Sequence, residues 1–377
     1  MELLKGAATT LVSYGPPFLF VLTLVVFFHE LGHFLVARWC GVAVKAFSIG
    51  FGPELVGWND RHGTRWRIAL LPLGGYVKFE GDENAASVPD HEALAAMTPD
   101  ERASSFVGKS VGQRAAIVAA GPIANFILAI VIFAALFTLA GRQIIAPKVG
   151  DVAAQSAAAE AGIEKGDVIL SVAGTPVESF NDLMRIVSVR AGEPTALTLD
   201  RGGKTIELSV TPRLVEEKSR FGIQRRGLLG IRASLDPADR TLKTYLPHQA
   251  VVEAVKETWF VVERTGAYLG GIVAGRESAD QLGGPLRVAQ ISGEVAEIGF
   301  SALLNLAALL SVSIGLLNLM PIPMLDGGHL VFYAIEAARG RPLSERSQDM
   351  GFRIGMAIVL MLVVFATWND VVHFRSL

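Results

Sequence analysis

Cysteine is almost missing from this chain: its 377 residues contain one, Cys40. That excludes an internal disulfide framework and a cysteine-rich zinc site, so any zinc must be held by histidine and carboxylate. Charge is scarce too. Asp, Glu, Lys and Arg make up 19% of the residues, against about 25% in soluble domains. The formal net charge of −2 provides no basic field for nucleic acid, and none is expected as a partner. With 51% hydrophobic residues and a mean hydropathy of +0.43, the composition is that of a membrane protein with some water-exposed mass.

Long stretches lack charge altogether. Ala115 to Ala140 and Phe300 to Leu325 each run 26 residues without one, and a crossing needs about 20. A first apolar stretch covers Leu11 to Val36, and a short fourth covers Ile354 to Trp368. Arg353 can snorkel at one end of that fourth stretch, and Val371 and Val372 extend the other. The first stretch follows Lys5 as a secretory signal would. No small-x-small cleavage site follows it, however, so it is read as a retained span.

That retained span contains Phe28-His29-Glu30-Leu31-Gly32-His33. Histidines at i and i+4 share one helix face, so both imidazoles can reach one zinc ion, with Glu30 beside them as a base. Such letters also occur by chance in soluble helices. Here they follow Pro17 to Phe28, which is uncharged, and ionisable groups at membrane depth are functional by default. Metal binding is therefore the reading taken.

Lysine and arginine bias sets the expected orientation. Arg38, Lys45, Arg61, Arg65, Arg67, Lys78, Arg102, Lys109 and Arg114 lie between the first two spans, and Arg339, Arg341 and Arg346 between the last two. These loops are expected to be cytoplasmic, with both termini and the long 141–299 region outside.

Residues 44–80 read as short strands broken by Gly and Pro. Trp66, Ile68 and Leu70 alternate with Arg65, Arg67 and Ala69, the period of two expected of a strand. Two readings stay open: a hairpin dipping into the membrane face, whose edge binds substrate by strand addition, or a small soluble hairpin without substrate contact. Asp82 to Ser105 is polar and reads as a linker. Lys148 to about Ser234 has the size of one compact α+β domain, with a helix over Ser179 to Val189 and a hairpin turning at Gly202-Gly203. Tyr245 to Ile272 mixes aromatics with charges and is expected to lie at the outer interface.

A catalytic zinc usually takes three protein ligands. Asp326 closes the third apolar stretch after Pro321 and Pro323, at the cytoplasmic depth expected of His29. Taken alone, Asp326 would be read as a helix cap. Glu54 and Glu336 lie outside the spans, and His329 is expected to support rather than ligate.

The His29-Glu-x-x-His33 motif, Gly121-Pro-Ile-Ala-Asn125 and the Asn318 to Gly328 stretch together resemble the site-2 protease family of intramembrane zinc proteases (peptidase M50). Lys109 to Asn125 is similar to the bacterial RseP-type branch. The resemblance covers nearly the whole chain. It implies His29, His33 and Asp326 as zinc ligands and Glu30 as general base acting on a zinc-held water. It places Asn318 near the substrate backbone and makes the hairpin, with Trp66, Ile68 and Leu70, a substrate holder. Asn125, Pro321 and Pro323 would be structural near the site. Gly227 to Ile231 would line the groove of a circularly permuted PDZ-like domain. RseP-type proteins carry two tandem PDZ domains, whereas this chain has room for one.

The expected fold is a polytopic α-helical membrane protein with four transmembrane helices, a membrane-associated β-hairpin and one α+β PDZ-like extracytoplasmic domain. Its segments are 1–40 for the first span, 41–81 for the hairpin, 82–112 for the linker and 113–141 for the second span. Then follow 145–235 for the PDZ-like domain, 245–299 for interfacial helices, 300–328 for the third span with Leu325-Asp-Gly327, and 350–373 for the fourth. The expected activity is hydrolysis of a peptide bond in pre-trimmed single-span proteins of the bacterial inner membrane, such as an anti-sigma factor or a signal-peptide remnant. The PDZ-like domain would take a peptide tail and the bilayer would surround the spans. A zinc-stabilised membrane scaffold would have no use for Glu30. A zinc transporter would need acidic or His residues along several spans, and the second and fourth lack them. Other zinc peptidases with this motif in a membrane helix would take a glutamate as third ligand.

Overall fold

The computed structural model describes residues 2–81, 97–219, 222–275, 279 and 283–374. The chain starts with helix α1 (Glu2–Trp39), strands β1 (Val44–Asn59) and β2 (Arg65–Phe79), a short α2 (Pro99–Ser104) and the long α3 (Val111–Leu139). A β-rich stretch follows: β3 (Arg142–Ile145), β4 (Val149–Val152), α4 (Ala157–Glu160), β5 (Val168–Val172), β6 (Thr175–Pro176), α5 (Phe180–Ser188), β7 (Thr195–Arg201) and β8 (Lys204–Val210). It continues through β9 (Arg213–Ser219), β10 (Gly222–Leu228), β11 (Ile231–Ala233) and β12 (Arg240–Lys243). Five helices complete the chain: α6 (Pro247–Val273), α7 (Pro285–Ile298), α8 (Phe300–Asn318), α9 (Asp326–Arg339) and α10 (Glu345–Phe374).

Four of the described helices are long and apolar enough to cross a membrane: Ser13–Trp39, Val111–Leu139, Phe300–Asn318 and Arg346–Val372. The third stops short of the uncharged run that carries it. Pro321 and Pro323 lack an N–H to continue the ladder, so α8 ends at Asn318 and Asp326 opens a separate helix, α9. The fourth outgrows its 15-residue apolar run, because the polar residues on both sides continue α10. Leu360, Met361, Val363 and Val364 on α10 are exposed, a face suited to lipid. In the linker, α2 is started by a capping box between Thr98 and Glu101, and 82–96 lie outside the described residues.

The chain divides into two compact units. One comprises Met1–Ala134, Ala250–Leu269 and Gly283–Leu377; the other comprises Ala135–Gln249 and Gly270–Leu282.

In the first unit, β1 and β2 form more than a simple hairpin. Val44 to Ile49 pairs with Phe79 back to Gly75, and Glu54 to Asn59 pairs with Ala69 back to Arg65. Ala46 to Ile49 also lies beside Arg65 to Ile68, with partner numbers rising together. Each strand is thus bent into two segments, giving the order 75–79, 44–49, 65–68, 54–59 across the sheet. Gly50 and Gly52, both at positive φ, make the bend in β1. Phe47 and Trp66 stack at 4.3 Å and meet Phe34 of α1, seating this sheet on the end of the first span. Arg38 of α1 ties down the turn, binding Asp60 and donating to Thr64 Oγ1 at 2.8 Å.

In the second unit, an antiparallel sheet of order β6-β5-β7-β8 packs Ile169, Val172, Leu197 and Leu199 against Leu183 and Val187 of α5. Ser179 caps α5, whose buried face is Phe180, Leu183 and Val187, as the apolar spacing predicts. Arg201 holds buried Asp167 through both carboxylate oxygens, and this hydrogen-bonded pairing keeps the Asp167 carboxyl below its ordinary range. Gly227 abuts the C-terminal turn of α5, where an added Cβ would lie 2.5 Å from the Val187 carbonyl. Leu229 is fully buried, and its carbonyl and that of Gly230 accept from Ala158 and Ala153.

Candidate metal centre and active site

The helical repeat stacks His29 and His33 on one face of α1, with ring centroids 4.8 Å apart. Across from them the backbone turns after α8 and delivers Asp326 as the first residue of α9. Gly327 and Gly328 make that delivery possible. Their missing side chains let α9 approach the carbonyls of Leu319, Met320 and Ile322 so closely that a Cβ would lie 2.3 Å away. The N-cap of α9 is Leu325, and no side-chain capping bond is made, so the carboxylate of Asp326 is not spent on capping.

Three side chains converge. Nε2 of His29 lies 3.2 Å from Nε2 of His33 and 3.2 Å from Oδ2 of Asp326, and Nε2 of His33 lies 3.5 Å from Oδ1 of Asp326. Ligands about 2.0–2.1 Å from a tetrahedral zinc stand about 3.3 Å from one another; the two imidazoles stand at that spacing, and each has one carboxylate oxygen of Asp326 near it. The tautomer of His33 agrees. Its Nδ1 lies 2.9 Å from the Ile117 carbonyl, which can only accept, so Nδ1 carries the proton and Nε2 presents a lone pair. Among the described residues, His29, His33 and Asp326 are the group of His, Cys, Asp and Glu side chains that could hold one metal ion.

Helix α3 supplies the wall behind this centre. Pro122 has no N–H to offer the Val118 carbonyl one turn back, and the neighbouring Ile117 carbonyl faces His33. Gly32 and Gly121 set the distance between the helices. A Cβ on Gly32 would stand 2.3 Å from the Ala120 carbonyl, and one on Gly121 would stand 2.2 Å from Nε2 of His33. The glycines of two sequence motifs therefore serve a single close approach, which their local patterns do not reveal. Asn125 is fully buried, with its side-chain nitrogen Nδ2 placed 3.3 Å from Nδ1 of His29.

Glu30 projects toward the sheet edge instead. Its carboxylate accepts from the Val77 N–H, and a Cβ on Gly75 would touch its Cγ at 3.1 Å. Segment 75–79 thus runs past Glu30 with its outer edge on that side. Ile68 and Leu70 are exposed, whereas Trp66 packs against Phe47 and Phe34 and donates its indole N–H to Asp60. Asn318 closes α8, and Pro321 and Pro323 shape the turn between α8 and Asp326. Glu54 pairs with Arg65 and Glu336 with Arg114, so neither joins the cluster. His329 packs at tilted and edge-on angles among Phe332, Tyr333 and Phe352. The Ile117 carbonyl was beyond the reach of sequence reading, because every residue carries such a carbonyl.

Peptidase family M50 matches residues 17–362 of the chain. A protein of Rhizobium meliloti (strain 1021) whose name describes a zinc metalloprotease is 53% identical, over 94% of this chain and 96% of its own. Metalloprotease MmpA of Caulobacter vibrioides is 44% identical, over 93% of this chain and 94% of its own. The Regulator of sigma-E protease RseP of Salmonella typhimurium is 34% identical, over 94% and 97% respectively.

Proposed function

The chain belongs to peptidase family M50 and is a zinc metalloprotease with four candidate membrane spans, and on that premise we propose that it cleaves membrane-embedded substrates. His29, His33 and Asp326 hold the zinc and Glu30 is the general base. The observation that carries this reading is the convergence of His29 and His33, on a helix apolar enough to be a membrane span, with the carboxylate of Asp326 just beyond the end of another. Two imidazole lone pairs and a carboxylate pressed that close repel one another unless a cation lies between them.

Held by His29, His33 and Asp326, a zinc ion would supply Lewis acidity to water and to the scissile carbonyl. Glu30 would take a proton from the attacking water and give it to the leaving amine, so no acyl-enzyme would form. The Val77 N–H holds the Glu30 carboxylate at the sheet edge, where it can serve a chain lying along segment 75–79. A transmembrane substrate must unwind before its amides are open to attack, and pairing with that edge replaces the bonds it loses. Ile68 and Leu70 add apolar contact from the exposed part of the sheet, Trp66 keeps the sheet seated, and Asn318 contacts the substrate backbone where the helix ends.

The substrates are single-span proteins already trimmed outside the membrane, such as an anti-sigma factor or a signal-peptide remnant. The name of the Salmonella relative supports a place upstream of a sigma factor. We assign the chain to the bacterial inner membrane, with both termini and the β-rich unit extracytoplasmic and the metal centre toward the cytoplasm. The β-rich unit acts as one PDZ-like domain that screens substrate tails. The alignment with the Salmonella relative runs over 450 positions, more than this chain's 377 residues, which is consistent with a second domain there that this chain lacks.

The test places the purified chain in vesicles with a single-span substrate trimmed to a short outer end. Cleavage by the zinc-loaded protein, and none by His29→Ala, supports the reading. Equal cleavage by both would remove the metal centre from the reaction.

A further inference from the structure

We propose that Asn125 is the positioning residue that keeps His29 in its ligating form, its Oδ1 accepting a hydrogen bond from the Nδ1–H of that ring. This rests on the assignment of His29 as a zinc ligand. The two histidines of the centre meet different partners on α3. His33 faces the Ile117 carbonyl, which admits one tautomer only. His29 faces the amide of Asn125, whose two ends have opposite hydrogen-bonding character.

Tautomer and amide orientation are therefore coupled. With Nδ2 toward the ring, the amide donates to Nδ1, the ring proton sits on Nε2, and His29 cannot ligate. That is the orientation drawn in the structure, and it leaves Oδ1 of Asn125 buried without a donor, a defect that turning the amide over removes. With Oδ1 toward the ring, Nδ1 carries the proton and Nε2 offers its lone pair to the point shared with His33 and Asp326. Metal binding selects the second state. A ligating imidazole that donates its other N–H to a fixed acceptor is also a better base toward the metal.

The backbone fixes Asn125 in place. Its carbonyl accepts from Ser311 Oγ of α8 at 2.8 Å, both residues are fully buried, and Gly315 lets α8 close to van der Waals contact with the Asn125 side chain. One residue thus joins the helix that carries His29 to the helix that leads into the Asp326 turn.

The full-length protein in detergent is titrated with zinc against a competing chelator, and with Co2+ monitored by visible absorption. Asn125→Ala is expected to weaken zinc about 10–100-fold and to alter the Co2+ bands. Asn125→Asp, which can only accept, is expected to bind within about threefold of the unchanged protein, or tighter. Unchanged zinc affinity in Asn125→Ala would overturn the proposal. So would an Asn125→Asp variant as weak as Asn125→Ala, since that assigns the effect to packing. His29→Ala separates the two layers of the argument: if it retains zinc, the metal-centre assignment itself fails.

Discussion

A methyl group on Gly121 would sit 2.2 Å from Nε2 of His33, on the atom that faces His29 and Asp326. Helix α3 is therefore glycine at the one place where a side chain would displace the ring. Gly121→Ala is expected to fold but to retain less than about a tenth of its zinc under a chelator that spares the unchanged protein. Gly112→Ala is the control on the same helix: its Cβ meets nothing within 4 Å, and alanine favours a helix by about 1 kcal/mol. Equal zinc content in all three proteins would refute the steric argument.

Glu30 shares its helix with the histidines but bonds to Val77 rather than to them. Glu30→Gln is expected to keep its zinc and to lose cleavage by about 10²–10⁴-fold, the usual contribution of a general base. Metal analysis and turnover are measured on the same sample. Full activity would strip Glu30 of its role, and loss of zinc would make it part of the metal site.

The ion pair of Arg114 and Glu336 joins the start of α3 to α9 at 2.6 Å, with both side chains about 15% exposed (15% and 14%). Arg114 also lies over the Tyr333 ring at 4.9 Å. Removing one partner leaves the other charge half-buried and unpaired. Arg114→Ala or Glu336→Gln is expected to destabilise the protein by about 2–4 kcal/mol, somewhat below the fully buried case. Thermal unfolding in detergent reads this, and the exchange Arg114→Glu with Glu336→Arg is expected to recover part of the loss. An unfolding midpoint unmoved by either single change would dismiss the pair as a brace for α9.

Burial alone would raise the Asp60 carboxyl, but the Trp66 indole, the N–H groups of His62 and Thr64, and Arg38 outweigh it and hold it at about 2. Because the folded value lies below the ordinary 3.8, the stability it contributes is full above that value and disappears as pH falls through about 2. Protection of the His62 and Thr64 amides, which donate to Oδ1 of Asp60, is expected to hold at pH 4 and collapse between about 4 and 2. Hydrogen exchange measures it, with Asp60→Asn lacking the step. Protection that persists well below pH 2 would contradict the assignment.

The sequence by itself determined the features that repeat over short distances. Long apolar runs marked all four candidate spans, because hydrocarbon tolerates little else. The i, i+4 spacing put His29 and His33 on one face, because 3.6 residues complete a helical turn. Alternation marked the strand around Trp66, and the apolar face of α5 was legible from Phe180, Leu183 and Val187. Asp326 stood out among carboxylates only through its proline and glycine neighbours.

Tertiary structure decided what depends on residues far apart in the chain. The bond from His33 to Ile117 spans 84 positions and the contact between His29 and Asn125 spans 96. No local period encodes either one. The end of α8 at Asn318, the folding of β1 and β2 into four segments, and the edge at Gly75 and Val77 beside Glu30 likewise emerge only once the helices have packed. Hydrophobic pattern fixes which face of an element is buried. Which backbone carbonyl or missing side chain that face then meets is set by how closely two distant helices approach, and here glycine at 32 and 121 sets that distance.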